Sequence, residues 1–292
     1  MTDVTRAALW MIGAIVSFSG MAVAGRTVSL ELDTFEIMLF RSVIGIVIVL
    51  VVASATGTLR QIRRNRLGLH FIRNISHFTG QNLWFFAISA APLAQVFALE
   101  FTSPLWAFIL SPLLLKEKLT RVRVMAAILG FVGILIVARP GAEPLSAGLI
   151  AAALAAIGFA GSAVFTRLLT RTETITCILF WLTVMQAALG LICAGYDGDI
   201  ALPGSANVPW IMLIACAGLL AHFCLTKALS IAPATIVLPL DFARLPVIAI
   251  VGMLFYAEPL DLWVFAGAAV IFAANWINIR AVNRAPPVST RA

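Results

Sequence analysis

Charged residues are scarce in this chain. Asp, Glu, Lys and Arg make up 11% of its 292 residues, hydrophobic residues make up 62%, and the mean hydropathy is +1.04. A soluble domain carries about a quarter charged residues. Too few are present here to cover a water-facing surface, which excludes a soluble enzyme. Cysteine is sparse as well. Cys177, Cys193, Cys216 and Cys224 all lie in apolar runs, without a CxxC pair or a Cys/His cluster along the sequence. They read as small packing residues, not as metal ligands or disulfides. Reaction motifs are missing too: no GxxxxGK[ST] loop, no HExxH, no paired Asp-rich motif and no GxSxG elbow. The sequence therefore gives no catalytic residue, cofactor or metal to expect.

Long apolar runs are abundant instead. They cover 7–28, 34–55, 68–89, 93–115, 121–138, 146–168, 174–195, 208–231, 234–256 and 261–279. One bilayer crossing needs about 20 mostly apolar residues, so an all-α integral membrane protein of ten transmembrane helices is expected. Barrel strands are half as long and alternate polar with apolar, which these runs do not. The first run, after Arg6 and ending in Ala22-Val23-Ala24, imitates a signal peptide. It is long enough to span and has a counterpart in mid-chain, so it reads as a retained helix.

A net charge of +7 would suggest nucleic acid in a soluble protein, but its placement suggests membrane orientation. With the N terminus in the cytoplasm, 16 of the 20 basic residues fall on the inner side, including Arg60, Arg63, Arg64, Arg66 and Arg73. Arg26, Arg41 and Arg139 fall near the opposite face, and Arg244 lies inside the ninth span. Both termini are then cytoplasmic, and a multi-pass protein of the inner (plasma) membrane is expected. Trp10 and Trp276 mark the inner boundary, and Trp210, Trp263, Tyr196 and Tyr256 the outer one. Trp84, Trp106 and Trp181 sit deeper. Residues 283–292, with Pro286-Pro287, read as a disordered cytoplasmic tail.

Shifting the chain by 141 residues aligns its halves without a gap. Phe18 meets Phe159, Gly20 meets Gly161, Arg26 meets Arg167 and Gly57 meets Gly198. Ala91-Pro92 meets Ala232-Pro233, Glu100-Phe101 meets Asp241-Phe242, and Glu117 meets Glu258. Residues 1–140 and 141–282 thus form two five-helix repeats. Five spans is an odd number, so the copies lie in opposite orientations. Inverted repeats of this kind are a mark of carriers with two gates.

The two stretches running from Ala91-Pro92 to Glu117-Lys118-Leu119 and from Ala232-Pro233 to Glu258-Pro259-Leu260, each followed by a Gly/Ala-rich helix, carry a family resemblance. The chain resembles the drug/metabolite transporter superfamily, specifically its EamA-type members, over nearly its whole length. Within that superfamily it is similar to aromatic amino-acid exporters of the YddG type. The halves differ where Arg244 faces Ser103, so the two gates need not behave alike.

Proline interruptions in corresponding spans point to a transport site. Span four carries Pro104 and Pro112, and span nine carries Pro239 and Pro246. Beside the breaks lie Glu100 and Asp241, each about 12 Å into its span at 1.5 Å per residue. Ionisable groups at that depth face a cavity or a partner. Asp241 has a local alternative, a pair with Arg244 three residues on, whereas Glu100 has no basic residue in its own span and is a candidate proton or ligand site. Arg73, His77, Gln81 and Trp84 share one face of span three, with His222 opposite Gln81 in the repeat. They read as cavity lining or as helix–helix hydrogen-bonding residues, with Arg73 snorkelling to the cytoplasmic surface. Spans one and six surround Phe18 and Phe159 with Gly, Ala and Ser. Close packing explains the glycines, and the two rings are candidates for the cavity wall.

The expected function is export of a small metabolite by alternating access. Trp84, Phe18, Phe159 and Trp181 would give stacking surface; Glu100, Ser103, Asp241, Arg244, His77, Gln81 and His222 would give polar contacts. The resemblance implies an aromatic or hydrophobic amino acid, its carboxylate toward Arg244 and its ammonium toward Glu100. A multidrug carrier for cations and a nucleotide-sugar carrier are the alternatives within the superfamily, the second weakened because only Arg244 among the cations is read as deep. An intramembrane enzyme and a channel are the alternatives outside it. Expected partners are the substrate and the bilayer, with no nucleic acid, and a monomer is the default.

Overall fold

The structure is a computed structural model that describes residues 1–116, 120–139, 146–196, 198–258 and 262–284. Glu117-Lys118-Leu119, Pro259-Leu260 and the tail beyond Arg284 lie outside the described residues. Every regular element described is helical. The first half holds α1 (Asp3–Val28), α2 (Thr34–Ala55), a short turn of tight helix (Leu59–Gln61), α3 (Leu67–Ala90), α4 (Leu93–Glu100), α5 (Ser103–Leu115) and α6 (Arg121–Ala138). The second holds α7 (Ala147–Leu169), α8 (Ile175–Ala194), α9 (Val208–Ile231), α10 (Ala234–Leu240), a tight turn (Asp241–Ala243), α11 (Arg244–Tyr256) and α12 (Leu262–Arg284). Asn283 and Arg284 are thus helical, where the sequence places the start of a disordered tail.

Polar punctuation sets the helix starts. Thr2, Asp33, Ser146 and Thr174 each accept a first-turn N–H, and Asp33 with Glu36 closes a reciprocal capping box. The fourth and ninth apolar runs are each broken in two. Pro104 lacks an N–H and crowds the carbonyl four residues back, at Glu100; Pro246 does the same to Phe242. Helix therefore stops at Glu100 and restarts at Ser103, and a tight turn separates Leu240 from Arg244. Lys116 and Ala257 close α5 and α11 in the left-handed conformation.

Seven described segments are long and apolar enough to cross a membrane: α1, α2, α4 with α5, α7, α8, α9, and α10 with α11. Their outward faces carry apolar residues at helical spacing, such as Leu9, Ile12 and Val16 on α1 and Val43, Val47 and Leu50 on α2. Such a surface suits lipid. Trp106 is among the exposed residues of this surface.

Packing runs between the halves. α1 lies along α9, α3 along α7, α2 against α8 and α6 against α12, while α4 meets α11 and α10 meets α5. Small residues permit this: Ala151, Ala152, Ala155 and Ala156 on α7 are buried, and Gly158 and Gly80 put the α3 and α7 backbones in contact. A Cβ on Gly158 would lie 2.7 Å from the Ser76 carbonyl oxygen and 2.8 Å from Gly80 Cα. Gly20 differs, with nothing within 4 Å of a Cβ there. The packing role expected of the glycines around Phe18 and Phe159 therefore holds at Gly158 and not at Gly20.

Candidate functional site

The short helix α4 explains why a site forms where it does. Its N-cap is Pro92, which offers no capping side chain. The Leu93 N–H instead donates to both oxygens of Glu258, each at 3.2 Å, from the end of α11. Arg26 of α1 donates to the same carboxylate at 2.5 Å and lies over the Tyr256 ring, whose hydroxyl donates to the Val23 carbonyl at 2.9 Å. At the other end of α4, Glu100 Oε1 accepts from Arg244 Nη2 at 2.6 Å, at the start of α11. Helices α4 and α11 are thus tied at both ends, one tie to each carboxylate.

Arg244 also donates to Asp241 Oδ2 at 2.6 Å, so one guanidinium serves two carboxylates. The rings of Phe18, Phe97 and Phe101 surround it, with centroids 5.1, 4.8 and 5.2 Å away. Trp84 Nε1 donates to Glu100 Oε2 at 2.7 Å. The local pair weighed for Asp241 is present. Glu100, whose own span offers no basic residue, takes its cation from α11, across the halves. The polar edge of Trp84 is occupied by Glu100, and its ring packs against Phe85 and Phe97. It positions Glu100 more than it offers a stacking face.

From this triad a cavity of about 700 Å³, counted to its open mouth, extends between α1, α3, α7 and α9. Phe18, His77, Gln81, Trp84, Glu100, Ser103, Phe159, His222, Asp241 and Arg244 all line it. His77 and His222 meet edge to face at 4.6 Å, flanked by Phe18 at 5.5 Å from His222 and Phe159 at 6.1 Å from His77. The Nε2 atoms of both histidines and Nε2 of Gln81 are buried without a hydrogen-bond partner. That leaves three polar atoms and two phenyl rings available to a solute.

Trp181 is the exception among the residues expected at the site. It lies where α8 meets the α2–α3 connection, donating to the Arg63 carbonyl at 2.8 Å, with its ring 6.3 Å from His70. Its spacing in the sequence placed it at depth but could not show which way its helix turns. Beside it, His70, Glu173 and Cys177 bring ligand-type atoms within 4.8 Å of one another. The fold thus groups residues that are far apart along the chain.

Sequence reasoning placed Arg244 in the interior but missed Arg73 and Arg41. Arg73 does not snorkel. It is 2% exposed and lines the cavity, donating through Nε to Thr166 Oγ1 at 3.0 Å and through Nη1 to Asn74 Oδ1 at 3.1 Å. Arg41 is 6% exposed and lines a smaller adjoining cavity with Gln186 and His222. An unpaired charge at membrane depth costs at least about 2.5 kcal/mol. Behind Arg73, Gln186 Nε2 donates to the Asn74 carbonyl at 2.9 Å and to Asn74 Oδ1 at 3.0 Å. Arg41 lies seven residues into α2, about 10 Å at 1.5 Å per residue, and that depth was the available signal.

Comparison with known proteins agrees with this architecture. The sequence profile of the EamA-like transporter family matches twice, over residues 5–139 and 146–280. A riboflavin transporter of Brucella anthropi is 31% identical over 92% of this chain and 97% of its own length. A riboflavin transporter of Vibrio cholerae is 29% identical over 92% and 93%. An S-adenosylmethionine uptake transporter of Rickettsia bellii is 27% identical over 94% of each chain. One crystal structure superposes with a TM-score of 0.77 at 19% identity, covering 96% of this chain and 98% of the other, a likeness of fold.

Proposed function

The chain belongs to the EamA-like transporter family of the drug/metabolite transporter superfamily, membrane transporters and not enzymes, and on that premise we propose that it carries a small metabolite with a flat heteroaromatic ring by alternating access. The observation that carries this reading is the cavity on which ten residues from both halves converge, with Phe18, Phe159 and the Nε2 atoms of two histidines, which lack partners, in its wall. Riboflavin and S-adenosylmethionine, named for the relatives, both bear such a ring. Amino-acid export draws no support from those relatives. The guanidinium assigned to an amino-acid carboxylate is already shared by Glu100 and Asp241.

The proposed frame is ten crossings in two inverted repeats, residues 1–140 and 141–282, with 283–292 as a tail and both termini in the cytoplasm of the inner membrane. Three observations support the repeat. The family profile matches begin 141 residues apart, 146 less 5. The left-handed residues Lys116 and Ala257, and likewise Gly57 and Gly198, stand at equivalent positions. Under the same offset the α1–α9 and α3–α7 contacts exchange, while α2–α8 and α6–α12 map onto themselves. With the N terminus inside, the cavity end bearing Met11, Arg73, Thr166 and Thr226 faces the cytoplasm, and the Arg26–Glu258 tie closes the outer side. One chain encloses the cavity, so a monomer is the working unit.

The test is flux into proteoliposomes of riboflavin, S-adenosylmethionine and phenylalanine in parallel, with and without a pH gradient. Saturable flux of a ring-bearing cofactor, reduced by His77→Ala and Phe159→Ala, is expected. Flux of phenylalanine alone would restore the amino-acid reading. Conductance steps in planar bilayers would replace a carrier by a channel. Equal flux with and without the gradient would mean facilitated diffusion.

A further inference from the structure

Two arginines in the interior have no acidic partner among the described residues. Arg41 of α2 has one hydrogen bond described, from Nη1 to the Met21 sulfur at 3.7 Å. Arg73 of α3 donates to neutral acceptors alone, the Thr166 hydroxyl and the Asn74 amide oxygen. The other deep cation, Arg244, is engaged by two carboxylates. The described interior therefore holds one guanidinium engaged by two carboxylates and, apart from it, two guanidinium groups without a carboxylate.

The two guanidinium groups share a neighbour. Arg73 and His222 line the central cavity, and Arg41 and His222 line the smaller adjoining one, so the imidazole borders both. A glycine on α9 makes room: a Cβ on Gly218 would come within 3.2 Å of Arg41 Nη2. Around them, Gln186 Oε1, His77 Nε2 and His222 Nε2 are buried without partners. Buried cations are rare unless paired, and an unpaired one inside a membrane protein marks a site where an anion binds or moves. Guanidinium suits planar or tetrahedral oxyanions because its forked donors match carboxylate and phosphate.

We propose that Arg73 in the central cavity and Arg41 in the adjoining one, with His222 bordering both, form the anion-binding pole of the transport site, so that the solute is a ring-bearing metabolite carrying a carboxylate or phosphate. The assignment rests on the cavity being the transport site. It also revises the sequence argument against phosphate-bearing solutes, which counted Arg244 alone among deep cations.

Matched pairs test it on the purified full chain in detergent. Riboflavin against riboflavin 5′-phosphate isolates a phosphate, and nicotinamide against nicotinate isolates a carboxylate. Binding is read by flavin fluorescence quenching for the first pair and by competition for the second. In at least one pair the anionic member binds about tenfold tighter or more, as for a hydrogen bond to a charged group. Arg41→Gln and Arg73→Gln each shrink that gap toward unity, and Arg41→Lys and Arg73→Lys, which keep the charge and protect folding, retain part of it. Which pair shows the gap identifies the group. No gap in either pair, or a gap untouched by the Gln variants, overturns the proposal.

Failure of every ring compound to bind would refute the proposed solute class without deciding the pole. The pole is then judged by sulfate, which at fixed ionic strength should raise the melting temperature of the parent and not of the Gln variants. Absence of that rise in the parent, or its persistence in both Gln variants, overturns the pole. Sulfate stabilisation without added phospholipid points to a soluble anion; stabilisation appearing only with anionic lipid would assign the pole to a headgroup and overturn the solute reading.

Discussion

Replacing Arg244 by Gln removes the cation that two acids share. The Arg244 side chain is 3% exposed, Glu100 9% and Asp241 20%. Removing one partner of a buried pair costs about 3–5 kcal/mol because the other charge is stranded. The Glu100 contact carries most of this. The Asp241 contact lies within one helical turn and is partly hydrated, so it adds at most about 1 kcal/mol. At about 2–4 °C per kcal/mol for a chain of this size, Arg244→Gln should melt about 6 °C or more below the parent in detergent. The triple variant Glu100→Gln, Asp241→Asn, Arg244→Gln strands no charge and keeps an acceptor for the Trp84 indole. It should recover most of the loss, because the three substitutions act on one network and do not add. Melting monitored by loss of the monodisperse gel-filtration peak decides the matter. A single variant within 2 °C of the parent, or a triple variant no better than the single, would refute the reasoning.

Further outcomes follow from other contacts. Glu258→Ala removes both the α4 cap and the Arg26 partner on the proposed outer side, a loss of about 1–2 kcal/mol. It should raise outside labelling of a cysteine at Met21 about fivefold or more, in a background lacking the native cysteines; unchanged labelling would count against an outer latch. Gly158→Ala places a methyl against backbone that cannot yield and should destabilise by about 1–3 kcal/mol. Gly20→Ala has open space and should be neutral within about 0.5 kcal/mol, so comparable melting losses for the two would contradict the geometry. Trp181→Phe loses the bond to the Arg63 carbonyl, about 1 kcal/mol, and should leave solute KM within twofold; a tenfold rise would return Trp181 to the site.

The helices and the site were legible in the sequence to different degrees. Apolar runs located α1 through α11 to within a residue or two at most ends, because bilayer-length hydrophobic stretches with polar caps leave little choice. Pro104 and Pro246 announced the breaks, since a missing donor acts locally. Which side of a helix faces inward is set by its neighbours, and only the polar stripe of α3 marked it in the sequence. Arg73 and Trp181 were therefore assigned by depth and type, one to the surface and one to the cavity, and the structure reverses both. The repeat aligns Glu100 with Asp241 but does not show that one arginine serves both.

The two carboxylate ties constrain how such a carrier can move. Glu100 with Arg244 and Glu258 with the Leu93 N–H fasten α4 to α11 at opposite ends, although the two helices belong to different halves. The inner tie is buried and costly to strand, whereas Arg26 and Glu258 retain access to water, so their pairing is the weaker. A transition that conserves the expensive contact must then move α4 and α11 together and release α1 from Glu258. In the proposed repeat, α10 and α5 form the equivalent pair, and by sequence offset Glu117 corresponds to Glu258 and Arg167 to Arg26. Under the proposed alternating access, the Arg26–Glu258 latch is then the contact that opens while the triad at the centre persists. A variant that weakens a latch should redistribute the two states, and one that weakens the triad should lower the stability of both.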